Sequence, residues 1–189
     1  MSYYSATVDT VVWIKYVSNY AEKPEIQAMF DACLERKIKL YTSSRVFSFD
    51  TTTQNPEQTQ HIRQVAADLG VSITPAPFIL GDLNDQKGTG SMLGSSDYLA
   101  DHNVDERETK FISVVGCHPT QKHPAQLGGR ESNHIGDYDA LLQHYMNEFD
   151  VFLTYDKHLY FEPSNRRKYQ EKLGLKVMSP SEFLKELLG

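Results

Sequence analysis

Four aspartates from distant parts of the chain sit where chemistry could be done. Asp9 follows the apolar run Tyr4-Ser-Ala-Thr-Val8, Asp50 closes Thr42-Ser-Ser-Arg-Val-Phe-Ser-Phe49, and Asp156 follows Asp150-Val-Phe-Leu-Thr-Tyr155. Asp137 opens the segment Asp137-Tyr-Asp-Ala-Leu-Leu142, with Asp139 two residues on. Carboxylates gathered in one place repel one another and drift toward protonation. A hard divalent cation reverses that balance, and Mg²⁺ or Mn²⁺ prefers oxygen ligands of this kind. A cation so held lowers the pKa of a bound water, orients it toward a phosphodiester and offsets charge on the leaving oxygen. Each acid alone reads equally well as a turn former or a helix cap, so only the combination points to a site.

The elements around these acids must bring them to one place. Residues 4 to 8 read as a strand that runs into Asp9-Thr10 and a helical segment, VVWIKYVSNY. After Pro24, the positions Ile26, Met29, Phe30, Cys33 and Leu34 form the stripe of an amphipathic helix, and Ile38 to Thr42 alternates as a strand. Asn55-Pro56 opens a second helix with Ile62, Val65, Ala66 and Leu69 on one face and Gly70 at its end, followed by the strand Val-Ser-Ile-Thr.

Gly136 precedes a helix with the stripe Tyr138, Leu141, Leu142, Tyr145 and Phe149, and residues 150–154 form a buried strand. Ser164 is read as the cap of a helix ending at Gly174. Leu175 to Met178 is a strand, and Ser179-Pro-Ser-Glu182 opens a final helix that buries Phe183, Leu184, Leu187 and Leu188. Strands alternating with helices predict an α/β fold, a three-layer α/β/α sandwich with a central, mostly parallel sheet. In such sheets ligands bind beyond the carboxyl ends of the strands, which is where Asp9, Asp50 and Asp156 fall.

Length and composition set the remaining bounds. A chain of 189 residues with 40% apolar content buries one substantial core, so the expectation is a single domain over 1–189. It carries a long irregular insertion at about 81–133, rich in Gly, Ser and Pro, whose apolar island Phe111 to Val115 is read as a strand or lid element. No run is long and apolar enough to cross a bilayer, and the first residues lack the features of a secretory signal; a soluble, cytoplasmic protein is expected. Cys33 and Cys117 are too few for a disulfide framework and are read as reduced thiols. The net charge of −6 does not advertise a nucleic-acid binder.

Asp9-Thr10 after the first strand, the stretch GDYDALLQHYMNEFDVFLTYD from Gly136 to Asp156, and the closing Leu-Lys-Val-Met-Ser-Pro-Ser-Glu-Phe-Leu together resemble the PIN domain family of metal-dependent ribonucleases. The likeness covers about the first 50 and last 55 residues. It implies a PIN-like sandwich and a Mg²⁺- or Mn²⁺-dependent endoribonuclease, with Asp9, Asp50, Asp137 and Asp156 at the site and Thr154 supporting the metal or its water. It also implies RNA as substrate, toxin-like action with an antitoxin-like partner, and a homodimer. Two departures stand out. The family has Glu where this chain offers Asp50, and the helix acid is either Asp137, which fits the spacing to Asp150 and Asp156, or Asp139, which mimics the family's Asp-Ala-Leu. Residues two apart point to different sides of a helix, so one of the two is the ligand.

Arg45, Lys157, Arg166 and Arg167 are the basic residues placed to meet a phosphate backbone, although the run Arg166-Arg167-Lys168 also reads as a solvated face. Cys117-His118 with His123 and His134 lacks the spacing of a zinc frame, and Gly88-Thr-Gly-Ser-Met-Leu-Gly94 lacks the context of a phosphate loop. Two rivals stand beside the nuclease: a PIN-like scaffold that binds or assembles without cutting, and an unrelated α/β phosphotransfer protein.

Overall fold

Strand β1 (Ser5–Val8) sets the pattern from which the rest is built. Successive side chains point to opposite faces, so Ala6 and Val8 enter one apolar core while Thr7 faces the other way. In the computed structural model, which describes residues 3–47, 55–75, 106–116 and 129–189 (the side chains of 129–133 excepted), β1 is the middle strand of a five-stranded sheet. Its partners are β2 (Lys39–Ser43), β3 (Ser72–Thr74), β4 (Val151–Leu153) and β5 (Val177–Met178), all parallel, in the order β3-β2-β1-β4-β5.

Helices cover both faces. The core beneath Ala6, Val8, Val151 and Leu153 is filled from α1 (Thr10–Val17), α2 (Lys23–Glu35), α3 (Pro56–Asp68) and α7 (Pro180–Leu188). The core around Phe152 is filled from α4 (Glu106–Val115), α5 (Gly129–Met146) and α6 (Pro163–Leu173). The predicted three-layer α/β/α sandwich is thus the observed architecture. No helix among the described residues is long and apolar enough to cross a membrane.

Local signals explain most boundaries. Asn55 caps α3 by accepting from the Gln58 amide at 3.0 Å, Gly70 follows with φ of 65°, and Ser179 and Glu182 complete a capping box on α7. Other expectations need correction. Phe111 to Val115 belongs to helix α4, because Phe111, Val114 and Val115 recur at helical spacing and pack on Tyr138 and Tyr145. Helix α5 starts at Gly129, so Gly136 lies inside it and Asp137 is mid-helix; burial of Ile135, Tyr138 and Leu141 outweighs the roughly 1 kcal/mol that an interior glycine costs. Ser164 does not cap α6: Pro163 takes the first helical position and Glu162 precedes it. Leu34 and Leu188, assigned to buried stripes, are 50% and 71% exposed. Phe149 lies past the end of α5, where it stacks on Tyr41.

Asp150 fixes the register that matters most. One of its carboxylate oxygens accepts from the Tyr4 amide at 2.8 Å, the Ser5 amide at 2.9 Å and the Ser5 hydroxyl at 2.9 Å, while the Ser5 hydroxyl accepts from the Asp150 amide at 3.0 Å. These bonds pin the first residues of β1 to the start of β4 and agree with the pairing Ala6–Val151, Thr7–Phe152 and Val8–Leu153. A carboxylate holding backbone amides this way contributes about 2 kcal/mol or more. Asp150→Ala is therefore expected to lower the urea-unfolding free energy by about 2–3 kcal/mol, with Asp150→Asn intermediate; a loss below about 0.5 kcal/mol would show that the clamp does not set the pairing.

Candidate functional site

A sheet ordered 3-2-1-4-5 changes direction between β1 and β4, because the chain leaves β1 toward β2 on one side and later returns to β4 on the other. Loops beyond the carboxyl ends of these two strands diverge and leave a crevice. Asp9, Thr154 and Asp156 come from the two loops that flank it.

Asp9 is the N-cap of α1 and lies only 3% exposed. Its amide donates to the Leu153 carbonyl at 3.0 Å, extending the β1–β4 ladder. One carboxylate oxygen accepts from the Thr10 amide at 2.8 Å, the other from the Thr154 hydroxyl at 2.6 Å. Thr154 is fully buried, and its oxygen accepts in turn from the Asp156 amide at 2.9 Å. The Asp156 carboxylate takes the His158 amide at 2.7 Å, and its carbonyl takes an Arg166 N–H at 3.0 Å. Thr154 thus links the two acids, receiving from the backbone of one and donating to the side chain of the other.

Burial pushes the Asp9 carboxyl up to about 6, and the negative charge of Asp156 adds to the rise, against the bonds from Thr154 and Thr10 that lower it. In dinucleotide-binding sheets the turn after the first strand is glycine-rich and offers amides to a phosphate. Here the same turn offers a dry carboxylate with a second acid nearby, an arrangement that repels anions and favours cations. The donor set is oxygen only, as hard cations require, and Mg²⁺ keeps several waters and needs only one or two carboxylates. Asp9 and Asp156 fit such a hydrated ion. Among the described residues, no three His, Cys, Asp or Glu side chains gather into a fuller cage.

Helix α5 supplies the other acids. Its His144 bonds Thr7 of β1 through Nδ1 at 2.8 Å, and burial pushes that imidazole down to about 3, with the Asp150 charge pulling the other way. The helix runs against the strand direction, since its end leads to Asp150 beneath Ser5. Five residues back from His144 climbs about 7.5 Å along a helix, and two residues forward from Thr7 climbs about 6.6 Å along a strand. Asp139 is therefore carried to the height of Asp9, with Asp137 farther out.

Their surroundings differ. Asp139 is fully buried and accepts from Arg45 Nε at 2.7 Å. Asp137 is partly exposed, and both acids raise the Tyr160 phenol, whose shift is chiefly due to burial. Asp50 and the Cys117, His118 and His123 cluster lie outside the described residues.

The expected phosphate contacts divide. Arg45 is a correction: it is 1% exposed and lies in the ion pair with Asp139, so it is no surface contact for a backbone phosphate. Arg166 faces two backbone carbonyls, while Lys157 and Arg167 are exposed. Sequence reasoning missed the Arg45–Asp139 pair and the Asp150 clamp. For the pair, the signals were an arginine directly before the apolar Val46-Phe47 and an aspartate set among Tyr138, Ala140 and Leu141 in the apolar stripe of its helix.

Two outcomes follow from these environments. Asp9 has a folded pKa above its unfolded value, so its favourable contribution exists in acid and is lost as pH rises through about 6. Above that pH the ionised carboxylate costs roughly 3 kcal/mol. Asparagine keeps the cap and removes the charge, so Asp9→Asn is expected to raise the thermal midpoint by several degrees at pH 8 without divalent ions and to gain nothing at pH 4. His144 is common to both proteins, so its acid titration cancels in the difference. Equal losses at both pH values would contradict this. Separately, Asp139→Ala removes the carboxylate that a buried guanidinium donates to and is expected to cost about 3 kcal/mol or more in chemical denaturation, whereas a loss under about 1 kcal/mol would mean that the pair contributes no more than a solvated one.

No family model, no curated protein and no solved structure matches the chain.

Proposed function

We propose that this protein is a divalent-metal-dependent nuclease of the PIN type, acting on RNA in the cytoplasm. The observation that carries the reading is the hydrogen-bonded chain Asp9–Thr154–Asp156 across the β1–β4 crevice. Asp9 and Asp156 would hold Mg²⁺ or Mn²⁺, with Asp137 and Asp50 the further acids that the family resemblance assigns. When bound, the ion would supply Lewis acidity toward water and toward the scissile phosphate.

The chain's own residues have separate tasks. Thr154 holds the Asp9 carboxylate in one orientation, leaving it set before a cation arrives. Burial of Asp9 keeps its charge poorly solvated, so that a cation is attracted more strongly than it would be in open water. Lys157, next to Asp156, and Arg167 on α6 are exposed and would meet the phosphate backbone and offset its repulsion by the acids.

A second reading keeps the fold and drops the cutting: a scaffold that binds RNA or a protein partner, such as an antitoxin-like chain or a second copy. The burial of Asp139 against Arg45 favours it, since that acid is neutralised within the protein. The phosphotransfer alternative has less support, because receiver-like sheets run 2-1-3-4-5 whereas this one runs 3-2-1-4-5.

The deciding experiment incubates the full chain with fluorescent RNA and DNA oligonucleotides in Mg²⁺, Mn²⁺ or chelator, beside Asp9→Asn and Asp156→Asn. Cleavage of RNA that needs metal and falls by about 100-fold or more in both variants is the expected result. RNA bound but left intact would favour the scaffold. Equal cleavage by all three proteins would show that the acids do not perform the reaction.

A further inference from the structure

The loop that carries Asp156 is held in one shape by bonds from the helix that follows it. The His158 amide donates to the Asp156 carboxylate at 2.7 Å, and the Phe161 amide donates to the His158 carbonyl at 2.9 Å, closing a 3-10 turn over Leu159–Phe161. Leu159 sits within this turn at φ of 44°, a left-handed conformation that a leucine rarely adopts. Such a residue persists only where its surroundings over-determine it.

Two side chains of α6 do so here. Asn165 donates to the Leu159 carbonyl at 2.6 Å. Arg166 donates through Nε to the Phe161 carbonyl at 2.6 Å and through Nη2 to the Asp156 carbonyl at 3.0 Å, spanning the loop from first residue to last. Its remaining nitrogen, Nη1, lies 3.8 Å from Glu182, the residue that completes the capping box of α7. A guanidinium is a planar fork whose edges are directional. With its Nε–Nη2 edge committed to two carbonyls and Nη1 turned toward a carboxylate, Arg166 has its most directional edge spent on the loop and not on a phosphate.

We propose that Arg166 is a positioning residue for Asp156: it locks residues 156–161 in the strained shape that presents the Asp156 carboxylate beside Asp9, and leaves phosphate contact to Arg167 and Lys157. Its consequence for catalysis rests on the nuclease reading; the bracing itself does not. A support of this kind tunes metal affinity and turnover, whereas a phosphate contact tunes substrate affinity and its salt dependence.

The test compares the full chain with Arg166→Ala, Arg166→Lys and Arg167→Ala. Readouts are hydrogen exchange of the 156–161 amides, the half-saturating Mg²⁺ concentration for RNA cleavage, and the separate kcat and KM. In Arg166→Ala, exchange at His158 and Phe161 and the half-saturating Mg²⁺ are each expected to rise about tenfold or more, kcat to fall, and KM for RNA to stay within about twofold. Arg166→Lys, able to reach one carbonyl, falls between, and serves alone if the alanine variant does not fold. Arg167→Ala is expected to leave loop exchange unchanged and to raise KM. Unchanged exchange and Mg²⁺ dependence in the Arg166 variants, with KM raised as in Arg167→Ala, overturns the assignment. Should the native chain cut no RNA, the nuclease reading fails by itself. Loop exchange then still decides the bracing: faster exchange in the Arg166 variants upholds it, and unchanged exchange ends it.

Discussion

The pairing of β1 with β4 is held by side chains at both ends of the strands, and the candidate site is one of those ends. At the amino edge, Asp150 gathers the amides of Tyr4 and Ser5; at the carboxyl edge, the Asp9 amide continues the ladder to Leu153 and its carboxylate takes the Thr154 hydroxyl. Because side chains alternate along a strand, a slip of one residue would turn Ala6 and Val8 out of their core and carry Asp9 away from Thr154. The same register therefore fills the core and brings Asp9 and Thr154 together.

This placement has an energetic counterpart. A carboxylate buried at the mouth of the sheet beside a second acid is unfavourable for the isolated chain at neutral pH, and its pKa moves up accordingly. The arrangement makes physical sense where stability is given up for binding, since a cation reverses the sign of the interaction. Elsewhere the chain neutralises its buried charge internally: Asp139 meets Arg45, and His144 stays uncharged among Phe149 and Phe152. Asp9 differs from these in taking its hydrogen bonds from neutral groups, the Thr10 amide and the Thr154 hydroxyl.

Most of the architecture was legible because its signals are local and periodic. Alternation in residues 4–8, the stripe from Ile26 to Cys33, and the Ser179–Glu182 capping box each name an element with its mechanism. What escaped was tertiary. Phe111 to Val115 is too short an apolar run for its helical spacing to exclude a strand, and the packing of Phe111 on Tyr138 and Tyr145 decides for the helix. Leu188 follows the stripe of α7 yet ends at the surface. At the site, strand ends located Asp9 and Asp156, since position along a strand is a local property. The fates of Arg45 and Arg166 depended on partners 94 and 10 residues away, whose identity the sequence around each arginine does not give.

One distance-based measurement bears on all of this. Crystals soaked in Mn²⁺ and recorded at a wavelength where manganese scatters anomalously locate the ion without reference to activity. A peak is expected in the β1–β4 crevice within about 2.5 Å of carboxylate oxygens from both Asp9 and Asp156, absent from crystals of Asp9→Asn. A peak elsewhere, or a crevice that stays without manganese at millimolar concentration while Asp9 remains bonded to Thr154, would contradict it.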